Sequence, residues 1–288
     1  MISLEGDVIG ETITSGDVAL AVELVGQRTA PAIVLCQGLG MRIADWPEEL
    51  IEELSEHFYV VMVENRDTGC SSRCSKPYTL FDMAVDIEGV TAHLGISSYA
   101  LLGFSMGGMI AQIVAARCRQ NVSAFIQVCS SAGEATPPFS QEAIKRFEIT
   151  ARGFTSEEET AEWLAEDIAF FAAPKDINPV EARRKAKEMV QAGHSAEAFA
   201  RQYAAICGSG ERSQLLRLIA APALIIAGAN DCCIPVESSR RAASLIPHSK
   251  FHCLENTGHT FEDTAKNLVL EWLVDAVSPT RQNATEES

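Results

Sequence analysis

Gly103-Phe104-Ser105-Met106-Gly107 is the stretch of this 288-residue chain whose residue types and spacing most directly suggest chemistry. The run before it, Tyr99 to Leu102, is apolar and of strand length, and the run after it, Met109 to Ala116, has helical length and spacing. A chain that turns from strand to helix this abruptly forces the serine into a strained backbone conformation. Glycines two positions to either side remove the Cβ atoms that would block the turn. This is the sequence form of a nucleophile elbow, which lifts a serine hydroxyl above the sheet and aims the first helical N–H groups at the same point. An ordinary βα turn uses the same residues, so the remaining parts of a serine site must decide between the two.

A serine hydroxyl is a weak nucleophile and needs a base beside it. Of the six histidines, His57 and His93 fall near helix ends, His194 at a helix junction, His248 just past a helix and His252 within a strand. His259 differs. Asn256-Thr257-Gly258-His259 directly follows the strand-like run Lys250 to Leu254, at the edge where ligands bind in an open parallel sheet. A base histidine also needs an acceptor that holds its tautomer and stabilises the imidazolium. Asp231 follows the run Ala223 to Ala227 and so falls at the same edge, one strand away. Taken alone, His259 also reads as a solvated residue opening the last helix, and Asp231 as a cap or turn residue. The order Ser105, Asp231, His259 favours a catalytic set. Two oxyanion donors are expected: the N–H of Met106, directly after the serine, and the N–H of Leu39, between Gly38 and Gly40 in the loop after Ala32 to Cys36.

The elements that must hold these residues alternate. A hairpin, Thr12 to Thr14 with Val18 to Val25, precedes strands at Ala32 to Cys36, Tyr59 to Val63, Tyr99 to Leu102 and Val122 to Cys129. Helices at Pro47 to Glu56, Leu80 to Leu94 and Met109 to Cys118 lie between them. That spacing predicts an α/β fold: a mostly parallel central sheet with helices on both faces. The alternation then stops, and four helical patterns follow from Ser140 to Ile206 before two further strands and a helix through Val277. The expected organisation is a core of residues 1–132 and 213–278, an all-helical cap at 133–212, and a polar, disordered tail at 279–288.

Composition narrows the function classes. A formal charge of −16 argues against nucleic-acid binding and against an anionic membrane surface. Neither a secretory leader nor a run of membrane-spanning length is visible, and nine scattered cysteines suggest reduced thiols, so a cytoplasmic location is expected. Neither Cys70-x3-Cys74 nor Cys232-Cys233 has a second pair or a histidine at zinc spacing, and no metal is assigned. No G-x-G-x-x-G opens the sheet, so no nucleotide cofactor is expected.

Over nearly its whole length the chain resembles the α/β-hydrolase superfamily, in Gln37-Gly38-Leu39-Gly40, Asn65-Arg66-Asp67-Thr68-Gly69-Cys70-Ser71, Gly103-Phe104-Ser105-Met106-Gly107-Gly108 and Asp231 with Gly258-His259. The Arg-Asp-Thr-Gly run resembles the branch of aclacinomycin methylesterase, and the elbow also resembles cofactor-free perhydrolases. The insertion falls where that family carries its helical cap. Gln37 departs from the family pattern, standing where a histidine is usual, and serine at 105 disfavours epoxide hydrolases and haloalkane dehalogenases, which carry aspartate there. The resemblance implies a cofactor-free serine hydrolase that cleaves carboxylic esters of a fairly hydrophobic small molecule. The same machinery acting on a thioester, lactone, C–C bond or peroxide acceptor, or a slow-turnover ligand receptor of this fold, is the alternative. The cap is rich in aromatics, among them Phe139, Phe147, Trp163, Phe171, Phe199 and Tyr203. Most are expected to pack its helices and a few to line a pocket. Arg152, Arg201 and Arg212 are read as surface residues rather than ligands of a substrate carboxylate. Because the cap supplies no member of the catalytic set, its shape is expected to vary without touching the chemistry.

Overall fold

A computed structural model describes residues 8–133, 139–175 and 177–277; the expected tail at 279–288 lies outside them. The chain opens with a hairpin of β1 (Ile9–Ser15) and β2 (Val18–Val25), turning at Gly16-Asp17. Next come β3 (Ala32–Cys36), a single 3-10 turn at Ile43–Asp45, α1 (Glu48–Ser55), β4 (Tyr59–Val63), α2 (Leu80–His93), β5 (Tyr99–Phe104), α3 (Met106–Arg117) and β6 (Val122–Val128). The four helices α4 (Gln141–Arg152), α5 (Glu157–Ala172), α6 (Pro179–Gln191) and α7 (Ala196–Gly208) separate β6 from the rest. The short α8 (Ser213–Leu216), β7 (Ala223–Gly228), α9 (Val236–Leu245), β8 (Ser249–Leu254) and α10 (Asp263–Val277) complete the described chain.

The eight strands form one sheet in the order β1-β2-β4-β3-β5-β6-β7-β8, antiparallel through β1, β2 and β4 and parallel from β4 to β8. Strands β3, β4 and β5 are buried at every residue, as their unbroken apolar runs require in a sheet covered on both faces. Alternate side chains serve opposite layers. Val34 and Cys36 belong to the apolar layer that includes residues of α2, α3 and α9, whereas Ile33 and Leu35 belong to the layer that includes residues of α1 and α10.

The helices between β6 and β7 begin where the sequence supplies caps. Ser140, Ser156, Asn178 and Ser195 each accept a hydrogen bond from an N–H in the first turn of α4, α5, α6 and α7 respectively. These four helices do not form one separate core. α5 and α6 pack through a small cluster of Ala161, Leu164, Ala165, Ala182 and Ala186. Phe147 of α4 and Ala205 and Ile206 of α7 belong to the main core beside the sheet.

Candidate active site

Ser105 follows β5 in the middle of the sheet, with φ 53° and ψ −119°. A serine pays for such a conformation with strain, and it persists only where its surroundings dictate it. Here they do: a Cβ on Gly107 would strike the carbonyl of Cys36, and one on Gly103 the backbone of Gly107. Sheet and helix therefore meet at van der Waals contact of backbone, and the serine at the crossing faces the C-terminal edge.

His259 and Asp231 reach that point from β8 and β7. The Ser105 hydroxyl donates to His259 Nε2 (2.9 Å), and His259 Nδ1–H donates to Asp231 Oδ2 (2.8 Å). The second carboxylate oxygen, Oδ1, accepts the N–H groups of Cys233 and Ile234, both at 2.8 Å. Asp231 is thus held at both oxygens. With Nδ1 committed to the carboxylate, Nε2 is left as an acceptor toward the serine. The loop carrying His259 is pinned to the end of β7, since Asn230 N–H donates to Thr257 O (3.0 Å). Phe104 and Phe171 flank the imidazole, with ring centroids 5.2 and 6.0 Å away.

The two expected oxyanion donors follow adjacent strands, Leu39 in the loop after β3 and Met106 just past the end of β5. Met106 opens α3, so its N–H has no carbonyl one helical turn earlier. Among the described residues the N–H of Leu39 likewise has no hydrogen-bond partner. Gly38 brings that loop against the serine: a Cβ there would sit 3.4 Å from Ser105 Cβ. Gln37 Oε1 accepts the Gly38 N–H (2.9 Å), and Gln37 O accepts from Asn65 Nδ2 (3.0 Å).

Several contributors were not visible in the sequence. Cys129, at the end of β6 with φ 50°, is buried between the serine strand and the aspartate strand. Its thiol, the Asp231 carboxylate and the His259 imidazole offer atoms within 4.8 Å of one another. Burial, and then the Asp231 charge, push the Cys129 thiol well above its ordinary value, so it stays protonated and is no competing nucleophile. The helices of the insertion also touch the loops that carry Asp231 and His259, whereas from the sequence their shape is expected to vary without touching the chemistry. At the C-terminal end of α5, where carbonyls lack helical partners, Phe171 O accepts the His259 N–H (2.8 Å) and Phe170 O accepts from Cys232 Sγ (3.2 Å).

Two arginines also depart from expectation. Arg201 makes a two-pronged ion pair with the buried carboxylate of Asp67 (2.9 and 2.8 Å). Arg212 is 2 % exposed and donates to Gln112 Oε1, Gly210 O and Ser131 O. Arg152 is exposed beside Glu148.

A family model described as the alpha/beta hydrolase fold matches residues 31–263. The chain belongs to the alpha/beta hydrolase family. Among its relatives in that family, 3-oxoadipate enol-lactonase 2 of Acinetobacter baylyi is 27 % identical over 249 residues, covering 85 % of this chain and 88 % of that one. Rhodomycin D methylesterase DnrP of Streptomyces peucetius is 25 % identical over 276 residues, covering 86 % and 91 %. The crystal structure of the enol-lactonase from Burkholderia xenovorans LB400 superposes with a TM-score of 0.76 at 22 % identity, over 93 % of this chain and 99 % of that one, which shows the shared fold. The alpha/beta hydrolase assignment, with relatives that are hydrolases, makes this chain a hydrolase. No helix among the described residues is long and apolar enough to cross a membrane.

Proposed function

We propose that the chain is a serine hydrolase that cleaves carboxylic esters of a fairly hydrophobic small molecule through an acyl-enzyme on Ser105. The observation that carries this reading is the unbroken hydrogen-bond chain from Ser105 through His259 to Asp231. Ser105 Oγ attacks the ester carbonyl while His259 Nε2 takes its proton. Asp231 holds the imidazole tautomer and stabilises the imidazolium. The N–H groups of Met106 and Leu39 receive the oxyanion. The tetrahedral intermediate collapses, the C–O bond to the leaving alkoxide breaks, and His259 returns the proton to that oxygen. Water, deprotonated by His259, then attacks the acyl-enzyme and releases the acid and free Ser105. Every step uses this chain's own side chains and water.

The pocket chemistry favours an uncharged substrate near the reacting carbon. Phe171 stands beside His259, Phe147 stacks on Phe171, and Tyr203 and Phe199 pack on Phe147. Among the described residues Arg146 and Arg201, on these helices, are committed to Asp167 and Asp67, and Arg212 donates to neutral acceptors. A lactone is a second reading, supported by the enol-lactonase among the relatives; there the leaving alkoxide stays tethered to the acyl group.

The deciding test is turnover on a panel of aryl, methyl and cyclic esters, with Ser105→Ala as the control. We expect multiple turnovers by the wild type, a loss of about 10⁶ in kcat in Ser105→Ala, and fluorophosphonate labelling at Ser105 alone. A burst with no steady state on every ester would instead indicate a receptor, and labelling at another serine would move the nucleophile.

A further inference from the structure

Gln202 lies in α7, is 1 % exposed, and uses its whole side-chain amide on two loops of the core. Its Oε1 accepts the N–H of Gly40 (2.8 Å), one residue past Leu39. Its Nε2 donates to Arg66 O (2.7 Å) and Thr68 Oγ1 (2.8 Å) in the loop after β4. That second loop is itself a rigid base. Asp67 sits at φ 71°, accepting from Tyr78 Oη, Cys74 N–H and both prongs of Arg201, the residue before Gln202. Asn65 from the same loop holds Gln37 O. Phe199, one turn earlier in α7, lies over Gly40. The Gln37–Gly40 segment is therefore gripped at its start by Asn65 and at its end by Gln202, with the unpartnered Leu39 N–H between the two grips. A buried amide with all its hydrogen-bonding groups satisfied holds its partners stiffly, because any displacement orphans a polar group.

We propose that Gln202 is a positioning residue for the hydrolytic reaction: α7 of the insertion sets the aim of the Leu39 N–H by tethering Gly40 to the Arg66–Thr68 loop. This rests on the reading of Leu39 as an oxyanion donor. Losing such a donor costs about 10²–10³ in kcat, and letting it drift costs a part of that. The insertion then does more than enclose substrate, since its docking onto the core completes the site.

The test compares wild type with Gln202→Met, which keeps the side-chain length and removes all three hydrogen bonds. We expect kcat on a small acetyl ester to fall about 10- to 100-fold with KM within about threefold. The Ki of a small trifluoromethyl ketone, whose alkoxide adduct occupies the oxyanion position, should rise by the same factor as kcat falls. The midpoints of the pH profile of kcat/KM should stay in place, because His259 and Asp231 are untouched. Hydrogen exchange at the Gly40 N–H should quicken at least about tenfold. If Gln202→Met does not fold cooperatively, Gln202→Asn replaces it, retaining the amide one methylene short of Gly40, and is read the same way. Thr68→Val, which removes one of the two anchors of the Gln202 amide on that loop and leaves the Gly40 contact in place, should lower kcat and ketone affinity together, by less than Gln202→Met. A folded Gln202 variant with kcat within twofold of wild type, or with reduced kcat but unchanged ketone affinity, overturns the proposal. Should the wild type turn over no ester and Ser105 resist fluorophosphonate, the ester reading fails instead, and Gly40 exchange still decides whether the tether exists.

Discussion

Gln37 shows what a single substitution in a loop can and cannot alter. An amide neither takes up nor releases a proton near neutral pH, so it is not a base. Its Oε1 closes onto the N–H of the next residue, Gly38 (2.9 Å). That contact stiffens the turn just before Leu39, and the oxyanion bond proposed for Leu39 would come from backbone whatever side chain stands at 37. Gln37→Ala should free the Gly38 N–H and lower kcat by roughly tenfold, less than the loss of a whole oxyanion donor. The pH–rate profile should keep the same ionisations; a missing limb would give Gln37 a direct part in proton transfer. Ser105, His259 and Asp231 were legible as a hydrogen-bonded set because the roles proposed for them call for particular residue types at strand ends. Cys129 was not, because a cysteine closing an apolar strand reads as core, and its proximity to Asp231 exists only after β6 is laid between β5 and β7.

Among the elements, strands and helices of the core fall where hydrophobic period and punctuation place them. β2, β3 and β4 have the expected ends, most other elements differ by one or two residues at a terminus, and β1 and α3 start three residues early. The 3-10 turn at Ile43–Asp45 and the four-residue α8 are too short to carry a period, so the sequence announces neither. The contacts joining α7 to the core were illegible for a different reason: Gln202 meets Gly40 across 162 positions of sequence. A glutamine on the buried face of an amphipathic helix does not announce its partner. Arg212 is a second case. It follows the last helix of the insertion, its N–H donates to Ala132 O (2.7 Å), and its guanidinium spans Ser131 O and Gly210 O. The chain leaving β6 and the chain returning toward β7 are thus clasped by one residue. Among the described residues none of its hydrogen-bond partners is a carboxylate, and burial pulls its pKa down to about 10. Arg212→Met would recover the cost of burying a cation but leave Gln112 Oε1 without a donor, break the bond to Gly210 O and reduce Ser131 O to its bond from Gln112 Nε2. The acceptors should prevail, with a net loss of about 2 kcal/mol in denaturant unfolding. Arg212→Lys should not restore it, because an ammonium lacks the planar fork that reaches all three. Stability equal to wild type in Arg212→Met would mean that the neck is held without the clasp.

At the scale of the whole molecule, the insertion divides into two parts with different relations to the chemistry. α5 and α6 share a small cluster of their own, and Trp163 of α5 is turned within the insertion, packed on Phe154, lying under Arg146 and donating to Thr150 Oγ1 (3.0 Å). At the other end of the same helix, Phe171 stacks on Phe147 and lies 6.0 Å from the His259 ring. Both residues are partly buried aromatics of one helix, and the sequence offered no way to tell which faces the site. The geometry separates them. Phe171→Ala should open space beside His259. It should raise kcat/KM for esters with bulky acyl groups relative to acetyl esters by about tenfold, roughly the worth of one to two methylenes of apolar contact. Phe171 O, which accepts the His259 N–H, is main chain and survives the substitution, so turnover of the acetyl ester should persist. Trp163→Ala should instead cost about 3 kcal/mol of stability and leave the ranking of esters unchanged. Measuring kcat/KM for both variants across one acyl series tests this division, since a reordering by Trp163→Ala, or none by Phe171→Ala, would place the pocket on the other face of α5.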